Sequence, residues 1–561
     1  MSTFGFQYRV GFLGCPADPQ VPWNADNVGK LQSLGFNAIQ LNIAWGSRPA
    51  DEPLNLEDVV EIPAGRLGEF SQPVPLRGAE GAEKLRARRA ALTERIRLCR
   101  AAGVRAIFHF GAPYNAHCRY GDSPPNCIMH GQTADRYVAL LELFAAQFPG
   151  VDDLLLYTYD QDAWLCSEFD TCPRCAGVPL HLRVAPFVNR LAQAWHRLQP
   201  AGRLWWEPWE LSAGQVFKSI GGLDAQCVGL ALHSNIAEVM ATNPVDRWLK
   251  LTCRMAKAAG IPVIVEHFLG GPTEELEPFL HLAYPQALLR SLRAIADLAP
   301  DGIKEYYGLV PTREDPNLRL TGLFLADSQI SEQDAMSRLA APYGRAAGKI
   351  IEFWRLASEA MELFPWNASW YIREVGRCNP DHSTAAAFIR GQQAHTPSWE
   401  STRRAVFMKT DNAQPDPWML EDVQLQCAMA IERMTQALEI GNTVQGDLSA
   451  ELAYSFAATL IDLHGLRRRA ASYVYHLRET NLATVMRQYR SRGEPIPSRV
   501  LEELTGLLRA DVANQDQPGP CAAALDLLAK DVDRFLATCF LVPLAEPGGG
   551  CSIGEFSVTS R

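Results

Sequence analysis

The chain of 561 residues lacks several features that would define other classes of protein. Its longest apolar runs are only as long as a β-strand, so no segment is predicted to span a bilayer. It has no run of Lys or Arg, and its formal net charge is −10, so neither nucleic acid nor a membrane is expected as a partner. The start of the sequence, MSTFGFQYRV, lacks the charged beginning and apolar core of a secretory signal. We therefore expect a cytoplasmic location.

Common cofactor and metal motifs are also missing. No GxGxxG or Walker pattern stands between a predicted strand and a predicted helix, and no HExxH motif is present. The 14 cysteines have irregular spacing, which predicts free or metal-bound thiols rather than a framework of disulfides. The composition is 47% hydrophobic and 21% charged, which is ordinary for a globular chain with room for more than one domain.

The first 310 residues contain a repeated pattern of strands. Short apolar runs, most of them ending in polar or aromatic residues, alternate with segments of helical periodicity. This pattern predicts an α/β fold, a (β/α)₈ TIM barrel, whose chemistry would lie at the C-terminal ends of the strands. The predicted strands are Arg9–Gly14, Asn37–Trp45, Arg105–Gly111, Asp153–Trp164, Arg203–Glu210, Cys227–Asn235, Pro262–Gly270 and Gly302–Leu309.

Two domains are predicted from the change of pattern along the chain. Residues 1–332 would form the barrel, and residues 333–561 would form a mainly α-helical C-terminal domain. Its first helix, at Ala335–Leu363, is expected to close the barrel. Three long loops follow strands 2, 3 and 8, at Gly46–Arg77, Ala112–Gln132 and Val310–Ser331, and long loops at this end of a barrel usually build a binding site.

Acidic residues lie at or near the C-terminal ends of four of the predicted strands. Two carboxylates as close as Asp160 and Asp162 repel each other, which raises the pKa of one and suits a general acid. Glu266 follows a run of β-branched residues, where a solvated surface role is hard to explain. The alternative is that these acids cap loops or form ion pairs with Arg or His. The predicted catalytic residues are Asp160, Asp162, Glu207 and Glu266.

Polar and aromatic residues cluster at the same strand ends. Tryptophan faces can stack on sugar rings, and amide, imidazole and phenol groups can hydrogen-bond hydroxyls. Each of these residues could instead belong to the core. The predicted substrate-binding residues are Asn42, Trp45, His109, Tyr114, Trp164, Trp209, Glu210, His233, Asn235, His267, Glu305 and Tyr306.

A group of cysteines follows the acids of strand 4. Cys166, Cys172 and Cys175 form a C-x₅-C-x₂-C pattern that includes CPRC, and Cys127 lies in the loop after strand 3. One CxxC supplies half of a tetrahedral zinc site, and Cys118 or Cys127 from the loop after strand 3 could complete it. We predict a structural zinc site at Cys127, Cys166, Cys172 and Cys175. Free thiols in ordinary turns are the alternative.

The sequence from Tyr157 to Cys175 resembles part of a known group of enzymes. A barrel strand that ends in adjacent acids, followed by a Cys-rich loop and a helix, resembles the glycoside hydrolase barrels of the family-20 and family-67 type. Family 20 has an Asp-Glu pair where this chain has Asp160-Gln161-Asp162, and the Asn-Glu pair of the larger retaining clan is absent. The resemblance, which covers Arg9–Leu363 as architecture, therefore implies the TIM-barrel glycoside hydrolase superfamily and no specific family.

Together these features predict an exo-acting glycoside hydrolase with a carbohydrate substrate and no cofactor required for catalysis. Asp162 or Asp160 would donate a proton to the leaving oxygen, and Glu266 or Glu207 would act on the anomeric side. A divalent-metal sugar isomerase or epimerase, with Glu207, His233, Glu266 and Glu305 as ligands, is one alternative. A non-catalytic carbohydrate-binding barrel is another. The sequence leaves the sugar, the stereochemistry and the existence of a homo-oligomer open.

Overall fold

A computed structural model describes most of the chain. The described residues are 5–16, 18–42, 55–63, 78–113, 127–158, 165–169, 172–208, 211, 213–233, 244–274, 276, 278–366, 417–515 and 519–541. Within these residues no helix combines the length and the apolarity needed to cross a membrane.

Eight parallel strands close into a barrel in the order of the chain. The last strand pairs with the first through Tyr8 and Gly302, Arg9 and Ile303, and Val10 and Lys304. This confirms the prediction of a (β/α)₈ barrel that is followed by a helical region. The strands are β1 Tyr8–Phe12, β2 Ala38–Gln40, β3 Arg105–Gly111, β4 Asp153–Tyr157, β5 Leu204–Glu207, β6 Val228–Leu232, β7 Val263–His267 and β8 Gly302–Glu305.

Helices lie between successive strands, as expected for this fold. Their N-terminal ends are fixed by short polar side chains: Asn24 accepts a hydrogen bond from the Asn27 N–H, and Asp246 accepts one from the Leu249 N–H. The helices between β1 and β8 are α1 Ala25–Ser33, α2 Leu56–Val59, α3 Gly78–Ala102, α4 Gly131–Gln147, α5 His181–Leu198, α6 Ala213–Ile220, α7 Arg247–Ala258 and α8 Pro285–Ala296.

The segment Val310–Ser331, which we expected to be a long loop, contains a helix, so that expectation is wrong. Helix α9 spans Pro316–Ala326. The Asp315 carboxylate accepts hydrogen bonds from the backbone N–H groups of Asn317 and Leu318, and Pro316 occupies the first turn, where its missing N–H costs nothing. The Asp-Pro pair is therefore a helix start.

The expected single helix at Ala335–Leu363 is in fact two. Helix α10 spans Glu332–Ala340, and α11 spans Ala347–Leu363. A short 3₁₀ segment joins them, and Gly344 within it has φ 55° and ψ −124°, which is outside any helical conformation. Helix α11 packs against α8, where the Gln286 side chain donates to the Ile351 carbonyl at 3.3 Å.

The C-terminal region is helical. Its helices are α12 Pro417–Val444, α13 Ala450–Ser491, α14 Ser498–Asn514, α15 Gly519–Lys530 and α16 Val532–Thr538. The described residues form two compact units: those up to 366 and those in 429–467 belong to the first, and those in 417–428 and from 468 to 541 belong to the second. The second unit has its own apolar core, which includes Met486, Leu504, Leu508 and Phe535. The domain boundary predicted at residue 333 stays a prediction.

Candidate active site

The side chains inside the barrel form an apolar layer with a polar layer beyond it. The apolar layer consists of Val10, Ala38, Ile107, Leu155, Trp205, Ala231 and Ile264. Since alternate residues of a strand face the same side, the residues two positions further on also point inward, toward the end of the barrel where TIM-barrel chemistry occurs. Most of them are polar. Together with Lys304, which pairs with Glu266 in the strand register, they form a set that we call the polar ring: Gln40, His109, Tyr157, Glu207, His233, Glu266 and Lys304.

A buried ion pair lies in the polar ring between β7 and β8. Glu266 and Lys304 are partners in the strand register, and the Lys304 Nζ atom lies 2.8 Å from the Glu266 Oε1 atom. Both side chains are almost completely inaccessible to solvent. Lys304 also donates a hydrogen bond to the Glu305 carbonyl at 3.1 Å. Each charge needs the other, because an isolated charge at this depth would be strongly unfavourable.

A second contact in the polar ring joins β3 and β5. The His109 Nε2 atom lies 3.3 Å from the Glu207 Oε2 atom, and both side chains are buried. On its other side, the His109 Nδ1 atom lies 3.5 Å from the Gln40 Nε2 atom. The Tyr157 ring packs against the imidazole with 5.0 Å between ring centres. The imidazole is therefore held in a defined orientation next to the Glu207 carboxyl.

The two ring acids influence each other's ionisation. Burial raises the pKa of Glu207, and the positive charge of Lys304 opposes this effect. Burial also raises the pKa of Glu266; the negative charge of Glu207 raises it further, while Lys304 and His233 lower it. Two buried acids that share one buried cation favour a state with one carboxylate and one carboxylic acid. The ring can therefore supply both a proton donor and an anionic group.

Glu305 has a different environment from the ring acids. Its carboxylate accepts hydrogen bonds from the backbone N–H groups of Leu269 at 2.7 Å, Tyr307 at 2.8 Å and Gly308 at 2.9 Å. Burial raises the pKa of Glu305 to about 8, although the Gly308 and Leu269 N–H groups oppose this. The carboxylate holds the loops after β7 and β8 together.

The loop after β8 requires a glycine at position 308. The φ of Gly308 is +134°, and a Cβ atom at this position would lie 1.9 Å from the Gly14 carbonyl oxygen. The close approach of the β1 and β8 chain ends therefore requires glycine here.

The other predicted substrate-binding residues that the structure describes belong to the polar ring or lie next to it in the sequence. The aromatic rings of His233, a member of the polar ring, and Tyr306 have centres 5.7 Å apart, and the Tyr306 hydroxyl donates to the Glu274 Oε2 atom at 3.0 Å. His267 follows Glu266 and lies on the alternate face, where burial lowers its pKa to about 3. The Asn42 amide bonds to the His109 backbone N–H and carbonyl at 2.8 Å and 2.7 Å, so it extends the pairing of β2 and β3.

Several predicted residues cannot be placed relative to this site. Of the four predicted catalytic acids, the structure brings Glu207 and Glu266 into one ring. The remaining predicted site residues lie outside the described residues: Trp45, Tyr114, Asp160, Asp162, Trp164, Trp209, Glu210 and Asn235.

Three members of the polar ring were absent from the predicted site: Gln40, Tyr157 and Lys304. Lys304 is the most consequential, because it neutralises Glu266. A signal for it exists in the sequence, since Lys304 and Tyr306 are two residues apart and must face the same side of a strand. Gln40 similarly interrupts an apolar strand between Ile39 and Leu41.

The structure also brings together the four cysteines of the predicted zinc site. Cys127, Cys166, Cys172 and Cys175 are buried and form one cluster, although Cys127 comes from a different loop. They lie apart in sequence from the polar ring residues, in the segments that follow β3 and β4.

Comparisons with known proteins identify the fold. No protein-family model and no curated protein sequence matches the chain. Among solved structures, it is similar to a GH138 enzyme targeting pectin rhamnogalacturonan II, with a TM-score of 0.57 and 11% identity over 91% of this chain. The match covers 62% of the GH138 enzyme's chain, so this protein spans less than two thirds of that structure. A mutant O-GlcNAc hydrolase of Thermobaculum terrenum matches with 11% identity over 94% of this chain and 97% of its own, at a TM-score of 0.40. The protein thus has a TIM-barrel fold that occurs in glycoside hydrolases.

Proposed function

We propose that the protein is a glycoside hydrolase. The observation that carries this proposal is the pair of buried acids in the polar ring, Glu207 and Glu266, whose pKa values are both raised and which share the cation Lys304. Hydrolysis of a glycosidic bond by two carboxyl groups needs one that is protonated and one that is ionised. The fold similarity to the GH138 enzyme is consistent with this chemistry.

The surroundings of the two acids suggest their roles. Glu266 lies 2.8 Å from the Lys304 ammonium group, which favours its ionised form, so we assign it to the anomeric carbon as nucleophile or as base for water. Glu207 contacts His109 instead and is the proton donor that the described residues offer. Asp160 and Asp162 remain candidates for the same proton transfer. Gln40, His109, His233 and Tyr306 would bind sugar hydroxyls.

We also propose that the enzyme acts on the ends of sugar chains. The apolar layer fills the barrel beneath the polar ring, which supports access of the substrate from the C-terminal end of the barrel. A site that is reached from one end would suit one or two terminal sugar units. A role in cytoplasmic carbohydrate metabolism is part of the same proposal, and the many buried thiol cysteines are consistent with a reducing compartment.

The alternatives gain no comparable support. A divalent metal held by Glu207, His233, Glu266 and Glu305 would have to displace Lys304 from Glu266 and backbone N–H groups from Glu305. A binding barrel with acids neutralised by arginine is not favoured either, since Glu207 and Glu266 contact His109 and Lys304. We therefore propose neither function.

The first experiment tests the reaction class. A panel of nitrophenyl glycosides, including uronic and N-acetylated sugars, is incubated with the protein and with Glu266→Gln. We expect turnover of at least one member by the wild type and loss of it in the variant. NMR of the first-formed anomer then assigns Glu266 as nucleophile if the configuration is retained, or as base if it is inverted. No turnover across the panel, or equal turnover by the variant, would contradict the proposal.

A second experiment identifies the proton donor. Glu207→Gln, Asp160→Asn and Asp162→Asn are compared on two glycosides of the same sugar, with a dinitrophenyl and a phenyl leaving group. A dinitrophenolate leaves without protonation, so the donor variant should lose about 10²–10⁴-fold on the phenyl glycoside and far less on the other. If all three variants lose the same factor on both substrates, none of these acids is the donor.

A further inference from the structure

We propose that Cys127, Cys166, Cys172 and Cys175 bind one structural zinc ion, which joins the loop after β3 to the loop after β4. The site is distinct from the polar ring, and this inference does not rest on the proposed hydrolase activity. The predicted ligands are thiolates, and four of them satisfy the tetrahedral coordination that structural zinc requires.

The positions of the sulfur atoms agree with such a site. All four Sγ atoms lie within 4.8 Å of one another. The Cys127 Sγ atom is 3.2 Å from that of Cys175 and 3.6 Å from that of Cys172. A tetrahedral zinc ion with bonds of about 2.3 Å separates its sulfur ligands by about 3.8 Å, which is close to this arrangement. Both separations are far longer than a disulfide bond of about 2.05 Å.

The composition of the cluster points to a metal rather than to an ordinary apolar core. Among the residues that the structure describes, this buried cluster consists of the four cysteines alone. In the CPRC segment, Cys172 and Cys175 are buried while Pro173 and Arg174 between them are exposed. The N–H groups of Cys175 and Ala176 both donate to the Cys172 carbonyl, in a turn that brings the two thiols close together. Such a short polar turn has little apolar surface of its own to hold it in place.

A buried arginine supports the same loop. The Arg183 side chain, at the start of α5, donates to the Cys166 carbonyl through Nη1 and to the Val178 carbonyl through Nε, each at 2.8 Å. Zinc with four thiolates carries a net charge of −2, and a nearby guanidinium group would offset part of it. Arg183 is therefore a positioning residue, since its contacts are with the loop that carries the ligands.

The site would fix the chain close to the predicted acids of β4. In the sequence, Asp160 and Asp162 precede Cys166 by six and four residues. Zinc binding would tie Cys166, which follows these acids in the chain, to Cys127 in the loop after β3. A structural metal can thus stabilise the end of the barrel without taking part in the reaction.

The direct test is metal analysis of the full-length protein. After purification under reducing conditions from zinc-supplemented medium, we expect one zinc ion per chain by plasma mass spectrometry. Replacement by Co²⁺ should give the visible bands of tetrahedral cobalt with thiolate charge-transfer bands in the near ultraviolet. Protein that is folded but free of metal, or a disulfide among these four cysteines in peptide mapping, would overturn the proposal.

Matched variants locate the metal. Cys172→Ser/Cys175→Ser should abolish zinc binding, whereas Cys99→Ser changes an equally buried cysteine in α3, outside the cluster, and should leave the zinc content unchanged. Zinc that remains in the double variant would overturn the assignment. Because metal content is measured directly, a failure of the hydrolase proposal would leave this result unaffected.

Arg183 provides a variant that keeps all four ligands. In a competition with a coloured chelator, Arg183→Met should weaken zinc binding by roughly 10- to 100-fold. Arg190→Met, on the exposed part of the same helix, should not change it. Equal affinities for the two variants would remove Arg183 from the site but would not affect the cysteine assignment, which the double variant tests.

Discussion

The polar ring of the barrel and a polar cluster in the second compact unit both contain buried acids, but the groups that contact those acids differ. In the second unit, the Asp511 carboxylate accepts hydrogen bonds from His476 Nε2 at 2.9 Å and from Ser472, Gln515 and Cys521, each at 3.1 Å. Burial alone would raise the pKa of Asp511, yet the bonds from His476 and its neighbours lower it. The lowered pKa favours the ionised form of Asp511, and the hydrogen bonds that its carboxylate accepts are those expected of a buried acid with a structural role.

Glu479, in the same unit, shows what happens without such partners. Neither of its carboxylate oxygens has a hydrogen-bond partner among the described residues, and the side chain is fully buried. Burial raises its pKa well above the ordinary value, and the charge of Asp511 adds to this. Glu266 is equally buried but has Lys304 beside it. The two acids therefore differ in one respect: the charge of Lys304 opposes the rise in the pKa of Glu266, whereas the charge of Asp511 adds to the rise at Glu479.

The largest expected effect on activity comes from replacing Glu266. The same replacement at Glu479 is the matched comparison. Glu266→Gln should lower kcat by at least about 10³-fold, because under the proposed function it removes the anionic group that acts at the anomeric carbon. Glu479→Gln makes the same chemical change at an equally buried position and should leave kcat within about twofold, because the proposed function gives this residue no part in the reaction. Steady-state kinetics on the best glycoside measures both. Similar losses in the two variants would mean that general destabilisation, rather than chemistry, explains them.

Removing the cation should make Glu266 behave more like Glu479. In Lys304→Met the pKa of Glu266 should rise, because burial and the charge of Glu207 remain while the opposing charge is lost. We expect kcat to fall by about 10²-fold at neutral pH and the acidic limb of the pH–rate profile to move to higher pH. Lys250→Met, on the exposed surface of α7, is the control. An unchanged profile would show that Lys304 does not set the ionisation of Glu266.

Removing the charge of Asp511 should affect stability but not catalysis. Asp511→Asn leaves the donors of His476 and its neighbours without a carboxylate, which should cost about 3 kcal/mol of unfolding free energy at pH 7. Because the folded pKa of Asp511 is lowered, its contribution is present above the unfolded pKa of about 3.9 and is lost as the pH falls through the folded value. Urea unfolding at neutral and acidic pH should therefore show the largest difference at neutral pH. A difference that does not depend on pH would contradict this assignment.

The smallest expected effect is a gain in stability at Glu479. Its raised pKa means that this group lowers stability as the pH rises from the unfolded value of about 4.3 toward the folded value. Glu479→Met should therefore raise the unfolding free energy by about 1–2 kcal/mol at pH 7 and by less at pH 4. Glu503→Met, at an exposed ion pair with Arg478, serves as the matched substitution. A loss of stability in Glu479→Met at pH 7 would indicate a partner for this carboxyl.

The sequence was most informative where one residue type has one physical explanation. The burial of Glu266 follows from the β-branched run Val263, Ile264 and Val265 before it, and its catalytic role stays a prediction. Lys304 was missed although its two-residue spacing from Tyr306 offered a signal. Glu305, its neighbour, attracted attention instead, although it binds the backbone N–H groups of Leu269 and Gly308. Only the strand register shows which of two neighbouring residues belongs to the polar ring.

Element boundaries show the same limit. The periodicity of Ala335–Leu363 predicted one helix, although Pro342 and Gly344 within it are residues that interrupt helices. The Asp315-Pro316 pair carried a local signal for a helix start that a comparison of loop lengths could not detect. The capping residue Asp315 determines where this helix begins, but only the tertiary structure shows that the residues after it form a helix.

By itself, the sequence determined the barrel, because the alternation of buried strands and amphipathic helices has few other solutions. It also determined that Cys172 and Cys175 lie close together, since the spacing of CPRC is local. The tertiary structure decided which charges meet: the pairing of Glu266 with Lys304, of Glu207 with His109, and of Cys127 with the CPRC turn. These contacts join residues that are distant in the chain, and they depend on strand register and loop packing, which local sequence patterns do not encode.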